Sequence, residues 1–137
     1  MSDALVIGGA NGIGLAIATL LAEDERFDNI HIVDRQTVAS EFQHPKFRCH
    51  TFDLRSEDYS LFDTFTEVNT LIITAGFGRL AHFSDIDDEH IIDSFAVNST
   101  AVIRIIRHFY DRMQSTEEFY CGVMGSIAGF MSSPLFA

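Results

Sequence analysis

The residues with the clearest chemical meaning lie near the start of the chain. Gly8-Gly9-Ala10-Asn11-Gly12-Ile13-Gly14 follows an apolar run and opens a helical pattern. A glycine-rich turn lets main chain approach a pyrophosphate, and the helix N-terminus behind it offers unbonded N–H groups and the positive end of a dipole. The spacing G-x-G-x-x-G is not met, because Ile17 stands where its last small residue belongs; Gly8, Gly12 and Gly14 make G-x-x-x-G-x-G instead. Glycines alone would also serve a tight turn. Position favours the phosphate reading. Asp34 closes the second apolar run twenty positions after Gly14, and an acid about 20 residues past such a loop hydrogen-bonds adenosine ribose hydroxyls. Asp34 by itself would also be an ordinary turn residue; the joint spacing points to a dinucleotide.

Such groups need a frame that brings strand ends together. Ala4-Leu5-Val6-Ile7, Ile30-His31-Ile32-Val33, Phe47 to Phe52, Leu71-Ile72-Ile73 and Phe119 to Met124 are strand-length runs rich in β-branched or aromatic residues. Helical patterns lie between them. Ile13, Ile17, Leu20 and Leu21 share one helical face, and Ile91, Phe95, Val102, Ile105, Phe109 and Met113 share another. Ser56 to Phe65 is a third helix candidate with Ser56 placed to cap it, while Arg35 to Pro45 allows only a short helix. The strands are apolar on both faces, as burial under two helix layers requires. The expected fold is α/β: a Rossmann-like, doubly wound parallel sheet of strand order 3-2-1-4-5, one dinucleotide-binding domain over residues 1–137.

Composition narrows the partners. With 47% hydrophobic and 21% charged residues the chain reads as globular. Twenty acidic residues against nine basic ones give a net charge of −11, which argues against nucleic acid and anionic membrane. The N-terminus has neither a basic region nor an apolar run long enough for a signal peptide or membrane span, so a cytoplasmic location is expected. Cys49 and Cys121 form no C-x-x-C pair and read as reduced, buried thiols. No metal is expected: His90 stands where a calcium loop built on Asp85-Ile86-Asp87-Asp88-Glu89 needs glycine, and the histidines show no ligand spacing. Those acids instead suit the first turn of the long helix. Phenylalanines such as Phe62, Phe65, Phe95 and Phe109 read as core. Arg104, Arg107 and Arg112 are expected to pair with local acids or face solvent.

Taken together, these motifs resemble the short-chain dehydrogenase/reductase family along the whole chain. The glycine loop is similar to the family's T-G-x-x-x-G-x-G, with Ile7 in place of threonine. Asp53-Leu54 resembles an Asp-Val pair whose acid meets the adenine ring. Thr74-Ala75-Gly76 resembles Asn-Asn-Ala-Gly, with Ile73 and Thr74 replacing both asparagines, which implies weaker ties on the central strand but keeps close cofactor approach at Ala75 and Gly76. Asn98, after Val97, matches the family's catalytic asparagine, and Ser126, inside Gly125-Ser126-Ile127-Ala128-Gly129, its catalytic serine. The residues alone place Asn98 on the apolar stripe of its helix, where an amide must be paired or cost free energy. The implied cofactor site is Gly8, Asn11, Gly12, Ile13, Gly14, Asp34, Asp53, Leu54, Ala75 and Gly76. NAD is expected over NADP, since Asp34 repels a 2′-phosphate, with Arg35 the one feature against.

The resemblance implies hydride transfer between the nicotinamide and a small alcohol or ketone. The family's proton donor is a tyrosine with a lysine four residues on. None of Tyr59, Tyr110 and Tyr120 has one, and all precede Ser126. The chain is therefore expected to be the N-terminal part of a longer reductase, ending before the Tyr-x-x-x-Lys motif with its sheet incomplete, and inactive alone. The competing class is a non-catalytic dinucleotide-binding module or an inactive truncated product. A homo-oligomer is compatible with the resemblance. An open edge at Phe119 to Met124 would favour self-association.

Overall fold

The computed structural model describes residues 2–76, 81–115, 118–126 and 131. A five-stranded parallel sheet carries β1 (Ser2–Ile7), β2 (Phe27–Asp34), β3 (Phe47–Thr51), β4 (Val68–Ile73) and β5 (Tyr120–Val123) in the order β3-β2-β1-β4-β5. The order is the expected one. β1 lies at the centre because it can be buried on both faces: Ala4, Leu5, Val6 and Ile7 expose no surface. Alternate residues feed two cores. Leu5, Ile7, Val33, Leu71 and Ile73 join Phe62, Ile105 and Phe109, whereas Ala4, Val6, Ile30 and Ile32 join Ala18, Ala22 and Phe47.

The first core face is covered by a long helical rod and the second by α1 (Gly12–Ala22). α1 presents to the sheet not the predicted Ile13–Ile17–Leu20–Leu21 face but Gly14, Ala18 and Ala22. Ile13 is 63% exposed and Leu20 68%. The reason is distance: the glycine turn starts the helix hard against β1, and only small side chains fit between. Leu15 and Leu21 fill the flanks of that contact.

The rod also departs from a single continuous stripe. It runs as α2 (Asp88–Phe95), one π turn (Ala96–Thr100) and α3 (Ala101–Ser115). The wider turn adds a residue and rotates the following face by about 100°. Ala101, Ile105 and Phe109 are thus buried, with Val102 and Met113 partly so. Ile91 is exposed and Phe95 is 67% exposed, so Phe95 is not core. The acids behave as expected, with Asp88 and Glu89 in the first turn and the Asp87 side chain accepting from the His90 amide.

Ser56 to Phe65 does not form the predicted α-helix. Its polar side chains close local turns instead: Ser56 Oγ accepts from the Asp58 amide and Asp58 from the Ser60 amide. The chain then winds into a 3-10 turn, Ser60–Thr64. Tyr59, Phe62 and Phe65 are all buried, and their spacing of three matches a helix of about 3 residues per turn. The 35–45 stretch is as short as expected, a single 3-10 turn at Ser40–Phe42. The arginines of α3 hold the 56–65 segment through main-chain carbonyls, not acids. Arg104 donates to the carbonyls of Ser56 and Glu57 and sits 3.9 Å over the Tyr59 ring, and Arg112 donates to that of Phe65. Arg107 is exposed. Cys49 and Cys121 are free thiols but exposed, because they lie on the two edge strands and not in a core. Among the described residues, no helix is long and apolar enough to cross a membrane.

One polar chain runs beneath the sheet. Asp3, 8% exposed, bonds His31 Nε2 at 3.0 Å, and His31 Nδ1 meets His50 Nε2 at 3.2 Å. The second contact holds one proton between two nitrogens, so both rings cannot be charged without breaking it. Burial, and then the neighbouring His31, lower the His50 pKa below its ordinary 6.5. Near and below that value the unfolded chain binds more protons than the folded one, so this contribution is complete above pH 6.5 and is lost as pH falls through it. We expect the thermal midpoint to drop between about pH 7 and 5.5, and His50→Gln to flatten that drop; an equal drop in both proteins would refute the assignment. Arg104→Met is expected to destabilise by about 1–3 kcal/mol through the carbonyl bonds and ring contact, measurable by urea unfolding.

Candidate functional site

The site is built where β1 and β4 end side by side. The Ile7 carbonyl accepts from the Thr74 amide (2.9 Å), the Ala75 amide (3.2 Å) and the Thr74 hydroxyl (2.8 Å), and the same hydroxyl lies 3.2 Å from the Gly8 carbonyl. Thr74 therefore supplies the tie that was expected to be weakened where asparagines are replaced. The Gly8 amide bonds the Val33 carbonyl at 2.8 Å, which fixes the turn to β2 as well.

Two glycines of the turn have positive φ, Gly8 at 82° and Gly12 at 55°. A Cβ on Gly8 would lie 2.7 Å from the Ala75 nitrogen, and one on Gly14 would lie 2.1 Å from the Gly8 carbonyl oxygen. Gly14 is thus a packing glycine, buried under the turn. A Cβ on Gly12 would meet nothing within 4 Å, so the start of α1 faces open space. Asn11, in the N-cap position, makes no side-chain capping bond and instead donates to Gln36 Oε1 at 3.0 Å. The first-turn amides of α1 keep the orientation in which helices receive anions.

A cleft of about 480 Å³ opens at the C-terminal ends of the strands, within the ordinary range for small-molecule sites. Of the predicted cofactor residues, Gly8, Asn11, Asp34, Asp53, Leu54, Ala75 and Gly76 line it. Gly12, Ile13 and Gly14 do not; they form the exposed start and buried underside of α1. Val33, Arg35, Gln36, Phe52, Thr74 and Val97 complete the wall. Of these, the sequence marks Arg35 only by its charge and Thr74 only as a replaced asparagine. Gln36 carries a readable signal, two positions past Asp34, where an Asp side chain closes a turn on main chain.

Both acids of the cleft are already held. Asp34 Oδ2 accepts from the Ala10 amide and Oδ1 from the Gln36 amide, each at 3.0 Å. Asp53 is gripped by Arg55, with a shortest contact of 2.7 Å, and side-chain and main-chain hydrogen bonds from that arginine hold its pKa at about 2. Arg55 also reaches Asp93 on α2 at 3.1 Å.

Neither of the two predicted catalytic residues is among those that line the cleft. Asn98 lies in the π turn and is exposed, not buried on the sheet-facing stripe as expected. Its Nδ2 is 3.4 Å from Ser94 Oγ, and a Cβ on Gly76 would lie 3.7 Å from its Oδ1. Ser126 is exposed beyond β5, where the Met124 amide bonds the Ile73 carbonyl at 2.8 Å. Ile127, Ala128 and Gly129 of its motif lie outside the described residues.

The residues present fit a dinucleotide: a turn that excludes side chains, an open helix start, a fixed carboxylate, and apolar walls from Val33, Phe52, Leu54 and Val97. Comparison with known proteins agrees. The family model described as short chain dehydrogenase matches residues 2–137. An uncharacterized oxidoreductase, YvaG, of Bacillus subtilis (strain 168) is 30% identical over 143 residues, which is 95% of this chain and 53% of that protein. The bulky-bulky ketone specific alcohol dehydrogenase from Comamonas testosteroni superposes with a TM-score of 0.86 at 23% identity, covering 100% of this chain and 59% of the other. A 4-hydroxyisoleucine dehydrogenase complexed with NADH and succinate gives 0.82 at 19% identity, covering 97% and 63%. A 3-oxoacyl (acyl-carrier-protein) reductase from Agrobacterium tumefaciens C58 with NADP bound gives 0.84 at 20%, covering 98% and 56%. This chain thus spans little more than half the length of these relatives. The matched glycine turn, the acid-bearing strand ends and the sheet order belong together: the chain is a member of the short chain dehydrogenase family.

Proposed function

We propose that the chain is the NAD-binding part of an oxidoreductase acting on a small alcohol or ketone. The observation that carries this reading is the cleft itself, which sets Gly8, the Asn11 N-cap of α1 and the Asp34 carboxylate around apolar walls. The first-turn amides of α1 would hold the pyrophosphate. Asp34 would accept the adenosine ribose hydroxyls, and Val33, Phe52, Leu54 and Val97 would flank the adenine. The nicotinamide, when bound, carries the hydride chemistry. Ser126 would polarise a substrate carbonyl through its hydroxyl, and Asn98 would hold a water for proton movement; both roles rest on the family resemblance. NADP is the weaker alternative, since Arg35 in the cleft wall is the one feature that favours a phosphate. In this reading the protein works in the cytoplasm.

A second reading, binding without turnover, is favoured by one observation. Tyr59 donates its hydroxyl to the Leu54 carbonyl and is buried, which pushes its pKa above the ordinary 10. It is unsuited to give up a proton near neutral pH. Tyr110 accepts from Gln114 on the exposed side of α3, and Tyr120 lies exposed on β5. A positioned acid is typically worth about 10²–10⁴-fold in rate. The chain alone is therefore proposed to bind the dinucleotide without enzyme-like turnover, and NADH consumption against a panel of ketones checks this.

Isothermal titration is expected to give tighter binding of NAD than of NADP; the reverse order would transfer the specificity to Arg35. Gly12→Val is expected to weaken NAD binding at least about tenfold while costing only the strain of a positive φ, about 1–2 kcal/mol. Gly14→Ala is expected to destabilise the fold itself, because its Cβ would fall on the Gly8 carbonyl. Comparing thermal midpoints with affinities separates the two effects.

A further inference from the structure

The loop after β3 brings Asp53 and Leu54 to the cleft; Arg55, which follows them, is not among the lining residues. Its guanidinium is shared between two acids on different elements. Nε and Nη2 take the Asp53 carboxylate, at 3.1 Å to Oδ1 and 2.7 Å to Oδ2, and the Arg55 amide donates to the same Oδ1 at 2.9 Å. Nη1 is left to reach Asp93 Oδ2 on α2 at 3.1 Å. Val97, in the π turn that continues α2, also lines the cleft. One arginine thus spans two elements that both wall it.

We propose that Arg55 is a positioning residue for the adenine end of the cleft, fixing the Asp53–Leu54 wall against α2 so that the adenosine half of the dinucleotide meets a rigid surface. The inference rests on the cofactor reading above. A lone surface ion pair is worth little. This one differs in geometry: a planar fork spends one edge on Asp53 and a further nitrogen on Asp93, whose side chain is only 19% exposed. The rest of the loop has its own anchors, since Arg104 donates to the Ser56 and Glu57 carbonyls and Tyr59 is buried. Losing Arg55 therefore frees the wall and little else. Charge competition gives the opposite expectation. Arg55 occupies lone pairs on both Asp53 oxygens that an adenine amino group could use, so its removal would then strengthen binding.

The test uses the full chain with Arg55→Met, Asp93→Ala and the two combined. Titration follows NAD and AMP, which keeps only the adenosine end with one phosphate. Arg55→Met is expected to weaken both by the same factor, about three- to tenfold, and Asp93→Ala by a smaller one. The combined variant is expected to lose no more than Arg55→Met alone, because the Asp93 contact runs through Arg55. Without ligand, amide hydrogen exchange over residues 53–56 is expected to rise at least about threefold in Arg55→Met, while residues 59–65 exchange as in the parent. Unchanged or tighter NAD binding in Arg55→Met overturns the proposal in favour of competition. A loss for NAD without one for AMP overturns it as well. So do losses that multiply in the combined variant, or an Asp93→Ala protein that binds like the parent. Unchanged exchange over residues 53–56 rejects the role, and a rise that extends equally to 59–65 means general destabilisation and rejects it too. If the parent binds neither NAD nor AMP, the cofactor reading falls by itself, and the exchange measurement alone decides whether Arg55 holds the loop.

Discussion

Everything near the cleft depends on crowding at one carbonyl. Ile7 ends the central strand, and its oxygen receives two amides and a hydroxyl from the turn that ends β4. The two turns come so close that Gly8 and Gly14 have no room for a methyl group. That closeness sets the start of α1, its distance from the sheet, and hence the alanine face it buries. It also leaves the cleft floor made of main chain, which is what a phosphate group needs nearby. A bulkier turn would move the helix outward and lose the floor with it.

The inner strands were legible because burial on both faces writes itself into composition, whereas β3 and β5, expected to be apolar on both faces, lie at the sheet edges and are mostly exposed. A run such as Ala4-Leu5-Val6-Ile7, ending in β-branched residues and followed by glycines, suits the middle of a covered sheet, where it lies fully buried. The helices were read less well, since a helical wheel reports which residues are apolar and not how near the sheet lies. Ile13 and Leu20 looked like core and point away, while Gly14 and Ala18 carry the contact. The π turn defeats the wheel differently: one inserted residue breaks the periodicity that the sequence carries through Phe95.

The cleft was partly legible. Glycines and acids at strand ends announce themselves by type and spacing, and most of those named do line it. Their partners were not readable. Asp34 could be seen as a free acceptor for a ligand, but the amides of Ala10 and Gln36 that hold it are main-chain groups with no sequence signature. Thr74 stands where an asparagine is expected, yet its hydroxyl ties the end of β4 to the Ile7 carbonyl. The chain's net charge of −11 says nothing of this local order: Asp34 accepts from the Ala10 and Gln36 amides, and Asp53 is paired with Arg55.

Arg55 carries a further meaning. β3 is an edge strand with one neighbour, yet it contributes Asp53 and Leu54 to the cleft through the loop after it. Arg55 braces that loop against Asp93 of α2, a strut made of partly exposed charges. Such pairs are screened by dissolved ions over about 10 Å at 0.1 M. This wall of the cleft is thereby coupled to the salinity of its surroundings, so that ionic strength acts on its shape.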